Sequence, residues 1–265
     1  MRSSARGSGA GYPISRVSCE KWGFKLEAMP APIREFADNA VDPKVRGYLH
    51  LPDTPSLDFS SNDGLVLTHG AGSNAQAPLL IALAERFSAA GFTVLRCDLP
   101  YRQSRSFGPP GPGDAARDRA GLKHALAAMR KLVSGRLFLG GHSYGGRQCS
   151  MLCAELAGES TKEASDLVAA LLLLSYPLHP PRKPDQQRTQ HLPDLHTPTL
   201  FVHGTRDPFG SIAEMERALK MIPARTKLLP IEGAGHDLGF KGKAKQEELP
   251  RLIFSEFTKF IKLSS

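Results

Sequence analysis

The sequence lacks long apolar runs and any secretory signal. No uninterrupted apolar stretch approaches the roughly 20 residues that a membrane-spanning helix needs, so no membrane partner is expected. Residues 1–18 contain three arginines and no acidic residue, but no apolar core of a signal peptide. We expect residues 1–20 to be a disordered tail, with a transit peptide as the alternative, and residues 21–265 to form one domain.

Cysteine is also scarce, and its spacing fits neither a disulfide framework nor a zinc site. Cys149 and Cys153 lie one helical turn apart, but no histidine or third cysteine accompanies them. Cys19 and Cys97 are far from any other cysteine. We therefore expect buried free thiols in a reducing compartment, the cytoplasm, and no metal site.

The chain is basic, but its charges are dispersed. It carries 34 Lys and Arg against 26 Asp and Glu, a formal net charge of +8. Small basic groups of this kind are typical of solvated faces, so no nucleic-acid partner is expected. The groups are Arg102/Arg105, Arg182/Lys183 and Lys241/Lys243/Lys245. The oligomeric state does not follow from the sequence.

Short apolar segments alternate with segments whose apolar residues recur at helical spacing. This alternation predicts an α/β fold with a mostly parallel sheet and helices on both faces. We predict strands at 64–70, 92–98, 136–141, 167–177, 199–204 and 226–233, and helices at 77–91, 114–133, 144–158, 211–222 and 246–262. Before them, 22–29, 33–40 and 44–52 are candidates for an antiparallel edge.

Two segments, 99–113 and 177–198, show no periodicity and are predicted to be loops. Both follow the ends of predicted strands, where the active sites of parallel sheets lie. Neither is as large as the cap domain that many lipases insert, so we expect no large cap.

The stretch 141–145 reads Gly-His-Ser-Tyr-Gly and matches G-x-S-x-G between a predicted strand and a predicted helix. In this motif the serine lies on a sharp turn, and glycines two positions away on either side avoid clashes with neighbouring backbone. Ser143 is therefore the candidate nucleophile. We expect His142 to pack beside the turn and Arg147 to pair with a nearby acid.

A serine hydroxyl needs a base, and the base needs an acid that orients it. In this fold the three residues follow the chain order Ser, Asp or Glu, His. Asp207 comes just after the strand 199–204, and His236 lies in a glycine-flanked loop after the next strand. We predict that Ser143, Asp207 and His236 form a catalytic triad. The N–H groups of Tyr144 and Ala71 are the predicted oxyanion hole.

Residues 70–75, Gly-Ala-Gly-Ser-Asn-Ala, also imitate a dinucleotide-binding fingerprint. Asp98, at the end of the next strand, would then contact the ribose. The motif begins some 60 residues into the chain, however, and this interpretation leaves the settings of Ser143, Asp207 and His236 unexplained. We therefore place it behind the triad.

The set "HGAGS", "GGHSYGGR", "SYPLHPP", "LFVHGTRDPF" and "GAGHDL" resembles the α/β-hydrolase superfamily over roughly residues 30–262. It is most similar to the small subgroup of predicted hydrolases that contains testis-expressed protein 30, near the dienelactone-hydrolase-like branch. The resemblance implies an eight-stranded sheet and the triad on Ser143, Asp207 and His236. Dienelactone hydrolases carry a cysteine nucleophile, so Ser143 makes their substrate doubtful here.

These features predict a serine hydrolase of an ester, thioester or amide, with a small-molecule acyl substrate and no cofactor. Tyr101 and Tyr176 are predicted to line the substrate site. Arg102 and Arg105 are candidates for attracting an anionic acyl group, although solvated loop arginines are the simpler interpretation. The alternative function is an α/β-hydrolase-fold interaction or scaffold protein with little or no catalysis.

Overall fold

The computed structural model describes residues 33–52, 62–159 and 167–262, and the predicted tail, Cys19 and the candidate strand 22–29 lie outside these ranges. The strands are β1 Ile33–Asp38, β2 Val45–His50, β3 Gly64–Thr68, β4 Thr93–Cys97, β5 Leu137–His142, β6 Ala170–Leu174, β7 Thr199–Gly204 and β8 Thr226–Ile231. The helices are α1 Pro78–Ser88, α2 Pro100–Ser104, α3 Asp114–Arg130, α4 Tyr144–Ala157, α5 Ile212–Leu219 and α6 Lys243–Lys262, with a 3-10 helix at Leu192–Asp194.

The eight strands form one sheet in the order β1-β2-β4-β3-β5-β6-β7-β8. β2 pairs antiparallel with both β1 and β4, and every other pairing is parallel. The predicted α/β fold with an antiparallel edge and about eight strands is therefore confirmed. The described residues contain no inserted cap domain.

Side-chain alternation along the strands divides the interior into two apolar layers. Leu171 and Leu173 of β6 face the layer covered by α3, α4 and α5. Leu172 and Leu174 face the opposite layer, where α1 and α6 pack through aromatic residues. There the ring of Phe87 lies 5.0 Å from that of Phe254, edge to face. Burial on both faces explains why the central strands are almost continuously apolar.

The segment 99–113 differs from the predicted plain loop. It begins with the short helix α2, which has a proline at its first position, and Pro100, Tyr101 and Arg102 are buried. Proline is suited to a first helical position because its missing N–H is not needed there. One turn of helix is too short to produce a recognisable apolar period.

Cys97, Cys149 and Cys153 are buried and unpaired. Burial raises the pKa of Cys97 and of Cys153 to about 12, so both thiols stay protonated near neutrality. Among the described helices, none is long and apolar enough to cross a membrane.

Candidate active site

Ser143 occupies a strained turn between β5 and α4, with φ 52° and ψ −119°. Its N–H donates to the carbonyl of Leu174 at 2.8 Å, which ties the turn to the neighbouring strand. A Cβ on Gly141 would lie 2.7 Å from the backbone of Gly145 and Gly146. A Cβ on Gly145 would clash with the carbonyl oxygen of His69. The flanking glycines thus permit the close backbone approach that the motif predicted.

The structure brings the predicted triad residues together. The Ser143 hydroxyl lies 2.7 Å from Nε2 of His236. Nδ1 of His236 lies 2.8 Å and 3.0 Å from the two carboxylate oxygens of Asp207. Because Nδ1 donates to the carboxylate, Nε2 is left to accept the serine proton.

Asp207 is held rigidly in the loop after β7, and its side chain is fully buried. It accepts a hydrogen bond from the N–H of Phe209 at 2.9 Å, and the Phe209 ring lies 4.2 Å from that of His236. Behind it, Nε2 of His203 donates to the Gly210 carbonyl at 2.8 Å and so closes the loop. Burial lowers the pKa of His203, which keeps this ring neutral.

His142 holds the backbone of His236, the candidate base, in place. Its Nε2 lies 2.9 Å from the carbonyl oxygen of His236, and the two rings are 5.3 Å apart. A carbonyl can only accept, so His142 donates through Nε2. Burial lowers the pKa of His142 to about 4, so this residue is neutral near pH 7 and is not a second general base there.

The loop after β3 lies against the nucleophile. A Cβ on Gly70 would lie 3.3 Å from Cβ of Ser143. The Ala71 carbonyl accepts from the Tyr101 hydroxyl at 2.8 Å and from Nη2 of Arg102 at 3.1 Å. In the described ranges, neither Ala71 nor Tyr144 uses its backbone N–H in a hydrogen bond. Both N–H groups therefore stay candidates for the oxyanion hole.

Tyr101 and Tyr176, the residues predicted to line the substrate site, are both buried, and the protein's own carbonyls accept from their hydroxyls. Tyr101 is 2 % exposed and Tyr176 is 1 % exposed. Tyr101 holds the loop at Ala71, while the Tyr176 hydroxyl donates to the Arg188 carbonyl at 2.7 Å and its ring packs on Phe201. The local sequence gives no sign of either partner.

Arg102 and Arg105 are also engaged by the protein. Arg102 is buried and donates to the carbonyls of Ser73, Ala71, Gly108 and Arg105. Arg105 forms an ion pair with Asp114. Neither arginine is available as the anion-attracting group that the sequence suggested.

Asp118 is a further buried carboxylate near the site, and sequence reasoning missed it. It accepts from the Tyr144 hydroxyl at 2.8 Å and from the N–H of Tyr101 at 3.0 Å. Burial raises the pKa of Asp118. By binding α2 and the start of α4 together, it fixes the two elements that hold Ala71 and Tyr144.

Asp98 has a structural role, and its contacts do not support the alternative in which it binds a ribose. Its carboxylate accepts from the Ala75 N–H at 2.7 Å and lies 3.6 Å from Nε2 of His69. It thereby stabilises the loop that a dinucleotide would have to enter.

An apolar cavity of about 260 Å³ opens beside the nucleophile turn. Gly70 and His142, which both adjoin Ser143, form part of its wall. The remainder is largely the start of α1, including Leu79 and Leu80, and the loop after β8, including Phe240. The cavity lies on the side of the sheet that α1 and α6 cover.

Comparison with known proteins gives one family. A family model described as an alpha/beta hydrolase domain matches residues 61–262. Among solved structures, a dienelactone hydrolase from Anabaena variabilis is 21 % identical with a TM-score of 0.63, over 87 % of this chain and 99 % of that one. Est1E from Butyrivibrio proteoclasticus is 16 % identical with a TM-score of 0.62, over 87 % and 99 %.

A third similar structure is an α/β serine hydrolase without lid from Xanthomonas campestris, which is 14 % identical with a TM-score of 0.61, over 88 % of this chain and 96 % of that one. At such identities the structural likeness establishes the fold alone. Together with the family match, it confirms the resemblance to α/β-hydrolases.

Proposed function

We propose that this chain, which belongs to the α/β-hydrolase family, is a serine hydrolase that cleaves an ester, thioester or amide through an acyl-enzyme. The observation that carries the proposal is the unbroken hydrogen-bond chain from Ser143 through His236 to Asp207. Each link has a length suited to proton transfer or to orientation of the base.

In the first half of the reaction, the Ser143 oxygen forms a bond to the substrate carbonyl carbon and its proton passes to Nε2 of His236. Asp207 stabilises the resulting imidazolium. The N–H groups of Tyr144 and Ala71 donate to the oxyanion. When the tetrahedral adduct collapses, the bond to the leaving group breaks, and His236 returns the proton to that group.

In the second half, His236 takes a proton from water, and the hydroxide oxygen forms a bond to the acyl carbon. The bond between that carbon and the Ser143 oxygen then breaks. His236 gives the proton back to Ser143, and the carboxylic acid leaves. No step requires a redox change.

The cavity beside Gly70 and His142 is proposed to receive an apolar part of the substrate. The atoms exposed in its wall are mostly apolar, although Asp237 and Lys241 also contribute, and its volume of about 260 Å³ suits a small group rather than a long acyl chain. A larger side chain at Leu79 should fill the cavity and so favour short esters. We expect Leu79→Trp to lower kcat/KM for the preferred ester, and to change kcat/KM for an acetate ester much less.

Pre-steady-state hydrolysis of 4-nitrophenyl esters of graded chain length tests the proposal. We expect a burst of nitrophenolate that approaches one equivalent of enzyme, followed by slower turnover. Ser143→Ala should abolish the burst and lower kcat by about 10³-fold or more.

Ser150→Ala is the matched control. Ser150 lies on α4, about two helical turns after Ser143, and its hydroxyl contacts His191 instead of His236. It should keep the burst. A folded wild-type protein without a burst on any ester, thioester or amide would favour the alternative, an α/β-hydrolase-fold scaffold.

A cytoplasmic location is a separate proposal. Three buried, unpaired thiols at Cys97, Cys149 and Cys153 support it, because such thiols persist in reducing compartments. Fractionation with a tagged full-length chain tests it, and recovery in a membrane-enclosed organelle would contradict it.

A further inference from the structure

Arg147 and Arg188 both neighbour the Tyr176 hydroxyl, and neither has an acidic partner among the described residues. Arg147 is on the first turn of α4, and Arg188 is in the segment that follows β6; both are half-buried. Within the described part of the chain, neither forms an ion pair. Nε of Arg147 is buried and has no hydrogen-bond partner there. The sequence had suggested an acid for Arg147, and no described acid fulfils that role.

The charged and titratable groups around them are positive or neutral, apart from Asp194, which acts on His191. The pKa of Arg188 is lowered by burial and then by the charge of Arg147. The pKa of His191 is lowered to about 4 by burial, with Arg147 and Arg119 contributing, so the ring is neutral near pH 7. The Arg188 guanidinium makes one long hydrogen bond, 3.3 Å from Nη1 to the Pro177 carbonyl. Among the described residues, the Arg188 guanidinium has this one hydrogen bond, and the Arg147 guanidinium lies near the Tyr176 hydroxyl with its Nε unpaired.

Arg102 and Arg119, which are also largely buried, differ from this pair because protein groups accept their hydrogen bonds. Arg102 has four carbonyl partners, and Arg119 is paired with Glu155 and Gln148. Two guanidinium groups that repel each other without an acid between them are costly in a half-buried place, because their repulsion is poorly screened. An oxyanion bound between them would remove that cost, since a guanidinium presents its donors in a fork that matches carboxylate and phosphate oxygens.

We propose that Arg147 and Arg188 form a binding site for an anionic group of the substrate, a carboxylate or a phosphate. Arg147 follows the nucleophile by one helical turn, and its backbone N–H donates to the Ser143 carbonyl at 3.0 Å. The site lies on the α4 side of the sheet, whereas the apolar cavity lies on the α1 side. A substrate spanning both would carry its scissile carbonyl between an apolar end and a charged end. This assignment of substrate class rests on the proposed hydrolase function, whereas the anion site itself does not.

Thermal unfolding tests the anion site without any catalysis. Glutarate and inorganic phosphate are added separately at constant ionic strength, and glutaramide serves as the uncharged isostere of glutarate. We expect at least one of the two anions to raise Tm by a few degrees, and glutaramide to have no effect. The anion that stabilises identifies the group as carboxylate or phosphate.

Arg147→Gln and Arg188→Gln should each remove this shift, Arg147→Lys should retain part of it, and Arg182→Gln, which removes an exposed charge from the same segment, should retain it all. Two arginine variants are used so that poor folding of one leaves the other informative. No shift with either anion in the wild type, or an equal shift in all variants, would overturn the site.

Kinetics test the substrate class. The ratio of kcat/KM for 4-nitrophenyl hydrogen glutarate to that for its neutral methyl ester should fall about 10- to 100-fold in Arg147→Gln, through the charged ester alone. An unchanged ratio would contradict an acyl anion there. Tm shifts that persist in a protein without a burst on any ester, thioester or amide would keep the anion site and reject the hydrolase function.

Discussion

The side chain of Asp207 is fully buried. Both of its carboxylate oxygens are occupied by hydrogen bonds from His236 and from the Phe209 N–H. A carboxylate in this position fixes the tautomer of the imidazole as well as its orientation. At the residue scale, the proposed chemistry therefore depends on charge and proton position more than on side-chain shape.

Asp207→Asn separates these two contributions, because the amide nearly preserves shape. The amide nitrogen can donate to Nδ1, which would leave the proton on Nε2 where it cannot accept from Ser143. We expect kcat to fall by roughly 10³- to 10⁴-fold with little loss of stability. Steady-state kinetics and thermal unfolding measured on the same sample check this, and a variant that keeps a tenth of the activity would refute the role of Asp207.

Tyr101 acts on the site through Ala71, whose carbonyl it holds together with Arg102. Tyr101→Phe removes one of the two bonds and loosens the peptide whose neighbouring N–H would bind the oxyanion. We expect kcat on a neutral ester to fall about 3- to 10-fold at nearly constant KM, since the loss acts in the transition state.

Tyr176→Phe is the matched control, because it also removes a buried hydroxyl bond but leaves Ala71 untouched. It should lower stability without the same loss of kcat on the neutral ester. Equal kinetic effects of the two substitutions would show that Tyr101 does not position Ala71.

Single residues also show where sequence reasoning ends. Ser143, Asp207 and His236 could be chosen because chain order, glycines and strand ends restrict their places. The roles of Tyr101 and Tyr176 could not, since burial depends on partners such as Ala71 and Arg188 that are 30 and 12 residues distant. The missing acidic partner of Arg147 could not be predicted for the same reason, because the local sequence does not show whether a distant carboxylate packs beside it.

At the scale of elements, the unit β5–turn–α4 is the most predictable part of the molecule. Its apolar strand, glycine pairs and helix start are all local signals, and they positioned the turn correctly. α2 was missed because its single turn is held by tertiary bonds, including those from Asp118 and to Ala71. The contacts that support the site are thus non-local, although the residues proposed to react are marked by local sequence.

Gly145→Ala tests the packing of this turn against the loop after β3. The added methyl group would clash with the His69 carbonyl, and backbone cannot move aside cheaply. We expect the free energy of unfolding to fall by about 2 kcal/mol or more, as measured by urea titration. Gly72→Ala, where an added Cβ meets nothing within 4 Å, should cost far less. Equal losses in the two variants would mean that the turn tolerates the methyl group.

At the scale of the whole molecule, burial favours the neutral form of five histidines in the described residues, of which His50, His69 and His203 are buried and His142 and His191 half-buried. Burial lowers the pKa of His50, His142 and His191 to about 4, and it also lowers the pKa of His69 and His203. His50 must be neutral to accept from Nε of Arg96 at 2.8 Å. In the unfolded chain such rings take up protons near pH 6.5. Between pH 6.5 and 4 the unfolded state therefore binds more protons, and stability falls as pH falls.

Urea titrations from pH 7.5 to 4.5 should show this loss. Each additional proton on the unfolded chain contributes a slope of about 1.4 kcal/mol per pH unit. His50→Gln, whose amide oxygen can accept from Arg96, should reduce the slope. A free energy of unfolding that is flat over this range, or that rises on acidification, would contradict neutral buried histidines.

The sheet places the carboxyl ends of β5, β7 and β8 at one edge. Ser143, Asp207 and His236 therefore meet there, although they are up to 93 residues apart in the chain. The direct measurement is intact-protein and peptide mass spectrometry after incubation with a fluorophosphonate. We predict one adduct per chain, on Ser143, with labelling slowed strongly by His236→Ala and absent in Ser143→Ala. A folded wild-type chain that stays unmodified, or that is modified equally with Ser143 replaced, would contradict the account.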